Sequence, residues 1–112
     1  MIRVVANLAA CPPPRGRFEV VSTGPLIVVD YAHTPDALRR TCQTGRELAK
    51  EQRLIVVFGA GGGRDKDKRQ PMGLAVGELA DVAFIITDNP RHEDPRDIAR
   101  ALRAGCAEGK RA

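Results

Sequence analysis

Three short polar segments carry the residue types that could bind or orient a charged small molecule. They are residues 30–35, 59–69 and 88–95, and each follows a run of apolar residues. The first offers a carboxylate and an imidazole, the second combines glycines with basic side chains, and the third places an arginine beside oxygen-bearing side chains. Such groups suit a ligand with phosphate, carboxylate or ammonium groups.

The first segment reads Asp-Tyr-Ala-His-Thr-Pro. Asp30 ends an apolar run, where a carboxylate can accept hydrogen bonds from ribose hydroxyls, and His33 stands at a helix start, where it could contact a neighbouring ligand. Both residues also have a structural interpretation, because Asp and Thr near helix starts commonly cap the helix. Their spacing leaves the two interpretations open.

The second segment begins with a glycine-rich run, residues 59–63, that can turn sharply and approach an anion. It lacks the last glycine of G-x-G-x-x-G, where Arg64 stands, and the chain has no G-K-[ST] sequence. Neither a dinucleotide site nor a triphosphate-cleaving loop is therefore supported. The basic residues of this segment could hold a carboxylate or phosphate on one loop rim, or form a solvated charge run partly neutralised by Asp65 and Asp67. They are Arg64, Lys66, Lys68 and Arg69.

The third segment suits a zwitterionic amino acid. Arg91 offers a planar fork to a carboxylate, while Asp88 and Asn89 can accept hydrogen bonds from an ammonium group. The alternative is an Asx-type turn before Pro90, and we expect Asp94 to cap a following helix. No acidic or histidine cluster in the sequence has metal-ligand spacing, so we expect no metal site.

Apolar runs and helix signals alternate along the chain. Strands are predicted at residues 18–23, 26–30, 54–58 and 82–87, the last three apolar enough for burial on both faces of a parallel sheet. Helices are predicted after Thr34-Pro35, from Pro71, and after Asp94-Pro95. The resulting βαβαβα order predicts an α/β fold with a Rossmann-like, open, mainly parallel sheet and helices on both faces. Ligands of such sheets gather beyond the carboxyl ends of the strands.

Length and composition limit the function classes. The 112 residues suffice for a single domain, and 43% hydrophobic with 29% charged residues argues against both disorder and a membrane span. The net charge of +4 suits anionic ligands, but one Tyr, three Phe and no Trp provide few stacking platforms for nucleic acid. We therefore expect no nucleic-acid and no membrane partner.

The N-terminal region carries a weak helical pattern that ends at Pro12-Pro13-Pro14, so residues 1–15 are predicted to end a preceding region and form a linker. Leu8-Ala9-Ala10-Cys11 looks like the end of a lipoprotein signal, but the apolar stretch before it is short. Three widely spaced cysteines without a C-x-x-C pair suit a reducing cytosol, which predicts a cytoplasmic protein.

Four sequence segments together resemble the C-terminal domain of the Mur ligase family, in particular its diaminopimelate-adding members. They are residues 16–21 (GRFEVV), 30–38 (DYAHTPDAL), 57–65 (VFGAGGGRD) and 87–91 (TDNPR) with EDP at 93–95. The resemblance assigns residues 16–112 to that domain, which in the family continues beyond the length seen here. The sequence departs from the family pattern at Gly63, where an acidic residue is common, and at Gln70, in the usual K-R-P segment.

Family membership implies an ATP-dependent ligase that joins an amino acid to a peptide carboxylate through an acyl phosphate. The resemblance places the P-loop, the Mg²⁺ ligands and most contacts to the UDP-sugar in other domains, so it implies no catalytic residue here and an inactive isolated chain. It assigns ATP or ADP binding to Arg17, Asp30 and His33. It assigns meso-diaminopimelate binding to Arg64, Asp88, Asn89 and Arg91, with Arg91 facing the distal carboxylate that lysine lacks.

Two other functions stay open at the level of sequence. One is the corresponding domain of another amide ligase of the cyanophycin synthetase type, which shares the D-Y-A-H-x-P segment. The other is a non-catalytic module that binds anions or nucleic acid through the basic rim between Arg64 and Arg69.

Overall fold

A computed structural model of the chain describes the backbone of residues 2–3 and all atoms of residues 17–63 and 66–109. Arg64, the predicted linker around the three prolines, and most of the predicted N-terminal helix lie outside these residues. Residues 2–3, within that predicted helix, instead form a short strand, β1 (Ile2–Arg3).

Four further strands and three helices form the described fold, which confirms the open α/β class. The strands are β2 (Glu19–Thr23), β3 (Leu26–Val29), β4 (Ile55–Phe58) and β5 (Val82–Ile85). The helices are α1 (Pro35–Ala49), α2 (Arg69–Leu79) and α3 (Pro95–Glu108), with one 3₁₀ turn at Lys66–Lys68. Each of β3, β4 and β5 is followed by a helix, as the sequence predicts.

The sheet is mixed rather than mainly parallel. Its order is β2-β3-β1-β4-β5, and among the strands that the structure describes only β4 and β5 pair in parallel. β1 lies antiparallel between β3 and β4, with Ile2 opposite both Val28 and Val56. Because β1 opposes both neighbours, β3 and β4 still run in one direction, and β5 runs with them. The three loops that leave these strands therefore emerge at one edge of the sheet.

Local capping signals set where α1 and α3 begin. The Thr34 hydroxyl oxygen accepts from the Ala37 amide at 3.2 Å, and a carboxylate oxygen of Asp94 accepts from the Arg96 amide at 2.9 Å. Both caps precede a proline at the first helical position, and both confirm the prediction. The second helix begins at Arg69 instead of Pro71, because the 3₁₀ turn leads directly into it.

The core lies between the helices and one face of the sheet. Alternate strand residues such as Val28, Val56 and Phe58 share a buried cluster with side chains from all three helices. Phe84 and Ile86 are more than half exposed on the final strand and the loop after it. The described helices thus cover one sheet face, and the predicted helices on both faces are not found among the described residues. Within the core, burial raises the pKa of the Cys42 thiol to about 12.

Helices α2 and α3 approach until their backbones touch. Gly73 and Gly77 of α2 face the backbone of α3, and Gly105 of α3 faces the backbone of α2. A Cβ atom at any of these three positions would lie 2.1 to 2.3 Å from a carbonyl oxygen of the other helix. Among the described residues, no helix has the length and apolar character that a membrane span requires.

Candidate functional site

The loops after β3 and β4 enclose a cleft of about 270 Å³ at the carboxyl edge of the sheet. Asp30 and His33 line it from the first loop, Lys68 from the second, and Asp88 from the third. Apolar side chains form its floor, among them Val56, Phe58 and Met72. Three predicted site residues, Asp30, His33 and Asp88, therefore meet in one cavity.

Asp30 is held by its own protein contacts. One carboxylate oxygen accepts from the Ala32 amide at 3.0 Å and the other from the Thr41 hydroxyl at 3.1 Å. These bonds fix the turn between β3 and α1, which is the structural role that the sequence left open. They also orient the carboxylate at the cleft wall.

His33 and Arg17 both occupy exposed positions near this edge. The Nδ1 atom of His33 lies 3.1 Å from the Tyr31 carbonyl oxygen, and because a carbonyl only accepts, this nitrogen donates the proton. Arg17 lies two residues before β2, whose first residue, Glu19, pairs with Val29 at the end of β3. The chain therefore enters β2 from the same edge that carries Asp30.

The glycine loop, residues 59–63, packs against the loop after β5. The Gly62 amide donates to the Asn89 carbonyl at 2.9 Å. A Cβ atom on Gly62 would lie 1.9 Å from the Pro90 carbonyl oxygen, and one on Gly59 would lie 2.5 Å from that of Ile86. Gly59 and Gly62 are therefore required because their backbone packs closely against the neighbouring loop of the protein.

Arg91 and Asn89 lie against this glycine loop, beside the cleft. Arg91 has a left-handed backbone, with φ of 52°, and its guanidinium donates from Nη1 to the Gly62 carbonyl. Its amide donates to the side-chain oxygen of Asn89 at 3.3 Å, which is the Asx turn considered above. A carboxylate oxygen of Asp88 accepts from the Asn89 amide at 2.9 Å. Arg91 thus contacts Asn89, and Asn89 in turn contacts Asp88, which lines the cleft.

The basic rim proposed from the sequence needs correction at Arg69. Its side chain is only 4% exposed and forms an ion pair of 2.7 Å with Glu93. Lys68 donates to the His33 carbonyl at 3.3 Å, and Lys66 lies 3.5 Å from Glu93. Arg69 is therefore unavailable to an external anion, and the spacing missed it because its partner lies 24 residues away.

Glu93 was likewise absent from the sequence-based set of site residues. One of its oxygens accepts from Arg69 Nη1 at 2.9 Å, and the other from Arg69 Nη2 at 2.7 Å and the Gly63 amide at 2.5 Å. The Arg69 guanidinium first, and the Gly63 amide second, lower the pKa of Glu93 from 4.5 to about 2. The sequence signals were an acidic residue close to Arg91 in the same loop and the place of Glu93 in the EDP segment of the family resemblance.

This lowered pKa predicts an acid-dependent loss of stability. Because the unfolded Glu93 binds a proton more readily, its contribution is complete above its unfolded pKa of 4.5 and disappears as the pH falls towards about 2. Glu93→Gln resembles the protonated side chain, so we expect it to be less stable than the unmodified chain at pH 7 and to converge with it in acid. Urea unfolding of both chains from pH 7 to pH 2 measures this difference. A difference that stays constant with pH contradicts the prediction.

Within the part of the chain that the structure describes, no group of three or more His, Cys, Asp or Glu side chains could hold a metal ion. The described site is a cleft lined by hydrogen-bonding groups with an arginine beside it, and groups of these types suit a charged ligand.

Comparison with known proteins adds a family to this geometry. Residues 16–112 match the family described as "Mur ligase, glutamate ligase domain". The chain is 50% identical over 107 residues to "UDP-N-acetylmuramoyl-L-alanyl-D-glutamate--2,6-diaminopimelate ligase" of Chlamydia caviae, covering 94% of this chain and 21% of that protein. It is 47% identical over 108 residues to the enzyme of the same name from Geobacillus thermodenitrificans, covering 95% of this chain and 22% of that protein.

A solved structure of a ligase of that name superimposes with a TM-score of 0.68 at 38% identity, covering 88% of this chain and 20% of that one. The chain thus spans about a fifth of the length of the relatives it matches.

Proposed function

This chain belongs to the Mur ligase family, and from that membership we propose that it is the amino-acid-contacting and nucleotide-contacting C-terminal domain of an ATP-dependent ligase. The whole enzyme would add meso-diaminopimelate to UDP-MurNAc-L-Ala-D-Glu during peptidoglycan precursor synthesis in the cytoplasm. The observation that carries the proposal is the meeting of three loops at one sheet edge, where Asp30 and Asp88 line a cleft and Arg91 lies against the glycine loop beside it. The relatives bearing the diaminopimelate ligase name supply the reaction class.

The nucleotide side of the proposal rests on the first loop. The Asp30 carboxylate is oriented at the cleft wall, where it suits hydrogen-bond donors of a ligand, and Tyr31 is 72% exposed beside it. Arg17 enters from the same edge and could meet a phosphate. These groups fit contact with a bound nucleotide but not cleavage of a triphosphate, because the sequence has no G-K-[ST] loop. We therefore expect the chain alone not to catalyse ligation.

In this proposal Mg²⁺ is held mainly by the rest of the enzyme, as the family resemblance implies. When bound there, the ion would neutralise charge on the nucleotide phosphates. The UDP-sugar would likewise be held by domains outside this chain. What residues 17–109 would supply is orientation of the amino acid and of the nucleotide as the domains close over one another.

The amino-acid side rests on the loop after β5. Arg91 is exposed and presents a fork with several donors, of which Nη1 already binds Gly62. Asp88 and Asn89 carry oxygens that could receive an ammonium group of meso-diaminopimelate, whose distal carboxylate would pair with Arg91. Lysine has no such carboxylate, so it would leave the guanidinium unpaired when the site closes. A role for Arg64 stays a prediction, since it lies outside the described residues.

A chimeric ligase tests this assignment. Residues 17–109 would replace the corresponding part of the Geobacillus thermodenitrificans relative, and ligation would be measured with meso-diaminopimelate and with L-lysine. We expect Arg91→Ala to lower kcat/KM for diaminopimelate about 10-fold to 100-fold, because one charge-assisted pair contributes about 1.5 to 3 kcal/mol. Activity with lysine should change little.

Arg103→Ala is the matched control, because Arg103 is an exposed arginine on α3. It should leave both substrates unaffected. If Arg91→Ala keeps the preference for diaminopimelate over lysine, the role assigned to Arg91 is wrong. Ligation by the 112-residue chain alone would contradict the proposed division between domains.

A further inference from the structure

An ion pair with little solvent exposure links the start of α2 to the loop that contains Arg91. Arg69 at the start of α2 is 4% exposed, and Glu93 in the loop after β5 is 15% exposed. Their contact is bidentate, with N to O distances of 2.9 and 2.7 Å, and Arg69 Nη2 also donates to the Gly61 carbonyl at 3.2 Å. Glu93 completes the link by accepting from the Gly63 amide at 2.5 Å. The Arg69–Glu93 pair thus binds the glycine loop on either side of Gly62, through Gly61 and Gly63.

Arg91 lies within the structure that this pair fixes. The Glu93 amide donates to the Pro90 carbonyl at 3.0 Å, which closes a turn around Arg91. The left-handed backbone of Arg91 is unusual for a residue with a side chain and persists only where its surroundings enforce it. Its guanidinium rests on the Gly62 carbonyl, between Gly61 and Gly63, which contact Arg69 and Glu93.

We propose that Arg69 and Glu93 are positioning residues, which hold the Arg91 guanidinium where it can pair with a carboxylate of the amino acid. The inference rests on the proposed function and extends it to two residues that need not touch the substrate. Arg69 does not line the cleft, and Glu93 is occupied by Arg69, Lys66 and Gly63. Their effect on specificity would be transmitted by the turn at residues 90–93 and by the glycine loop.

A second ion pair in the same fold provides the comparison. Arg39 of α1 and Glu78 of α2 lie 2.7 Å apart, with side chains 35% and 42% exposed. Glu78 follows Arg69 by nine residues, which corresponds to about 13 Å of rise along α2. This pair joins helix to helix and touches neither loop, so Glu78→Gln removes a charge from an ion pair without disturbing the surroundings of Arg91.

The test is an NMR titration of the 112-residue chain with meso-diaminopimelate and, separately, with L-lysine. We expect Glu93→Gln to weaken diaminopimelate binding about tenfold, because Arg91 would no longer be held for its charge-assisted contact with the ligand carboxylate. Lysine binding should stay unchanged, since lysine has no distal carboxylate. Glu78→Gln should leave both unchanged. In the Arg91→Ala background, Glu93→Gln should have no further effect, since Glu93 would act only through Arg91. In the chimeric ligase, the same substitution should raise KM for diaminopimelate with kcat within about twofold.

The possible outcomes separate this inference from the proposed function. A chain with no preference for diaminopimelate, or one that keeps it after Arg91→Ala, contradicts the proposed function and the inference with it. Normal diaminopimelate binding by Glu93→Gln, an equal loss for lysine, or an undiminished effect in the Arg91→Ala background overturns only the positioning role. Arg69→Lys, which keeps the charge but not the fork, is the second variant if Glu93→Gln unfolds. Unfolding of both would make the pair a folding requirement and also overturn the inference.

Discussion

Replacing Gly73 by alanine should lower the free energy of unfolding by about 2 kcal/mol, although alanine favours helix. The added Cβ would lie 2.1 Å from the Leu102 carbonyl oxygen and 3.0 Å from the Cys106 amide nitrogen. Both atoms belong to the backbone of α3, so the clash cannot be relieved by turning a side chain. Overpacking of this kind costs about 3 kcal/mol at its upper end, and the gain in helix propensity offsets about 1 kcal/mol of it.

Urea unfolding of the chain measures this difference. Ala104→Gly is the matched control for the propensity component, because Ala104 is exposed in the middle of α3. It should cost about 1 kcal/mol without any steric contribution. A stabilised Gly73→Ala chain would show that the two helices can separate freely, and it would contradict the backbone contact between them.

Local signals in the sequence predicted the elements that flank the site. Thr34 and Asp94 each stand before a proline, and each caps the helix that follows. These contacts span only a few residues, so the chain pattern contains all that is needed to recognise them. The apolar runs located β3, β4 and β5 for the same reason, and their order placed Asp30 and Asp88 at one edge.

Contacts between distant residues could not be predicted from the same pattern. β1 comprises only Ile2 and Arg3, and its strand conformation depends on pairing with β3 and β4. A two-residue strand has no periodicity to detect, so the sheet was predicted to be mainly parallel. The burial of Arg69 depends in the same way on Glu93, and a basic residue within a charged run is normally solvated.

The glycine loop has a different structural role from the one that its composition predicts. Its glycines predicted a backbone that approaches an anion, whereas Gly59 and Gly62 are required by the neighbouring loop. Composition could not distinguish these cases, because both need a residue without Cβ. The distinction matters for function, since the packed loop positions Arg91 by contact.

Gly62→Ala should therefore be the most damaging single substitution in this loop, with a loss of about 3 kcal/mol in the free energy of unfolding. Its Cβ would lie 1.9 Å from the Pro90 carbonyl oxygen and 2.6 Å from the Pro90 carbonyl carbon. The two loops would have to move apart, which would break the bond from the Gly62 amide to the Asn89 carbonyl. We also expect the preference for meso-diaminopimelate to be lost, because Arg91 rests on Gly62.

Two other glycines calibrate this expectation. Gly63 has φ of 72°, and its nearest neighbour would be the flexible Arg91 side chain at 3.1 Å, so Gly63→Ala should cost about 1 kcal/mol through backbone strain. Gly24 has no atom within 4 Å of an added Cβ, and Gly24→Ala should change stability by less than about 0.5 kcal/mol. Urea unfolding and the diaminopimelate titration of the three variants would establish the order. Equal losses for Gly62→Ala and Gly63→Ala would contradict the backbone contact between the loops, because that contact predicts the larger loss at Gly62.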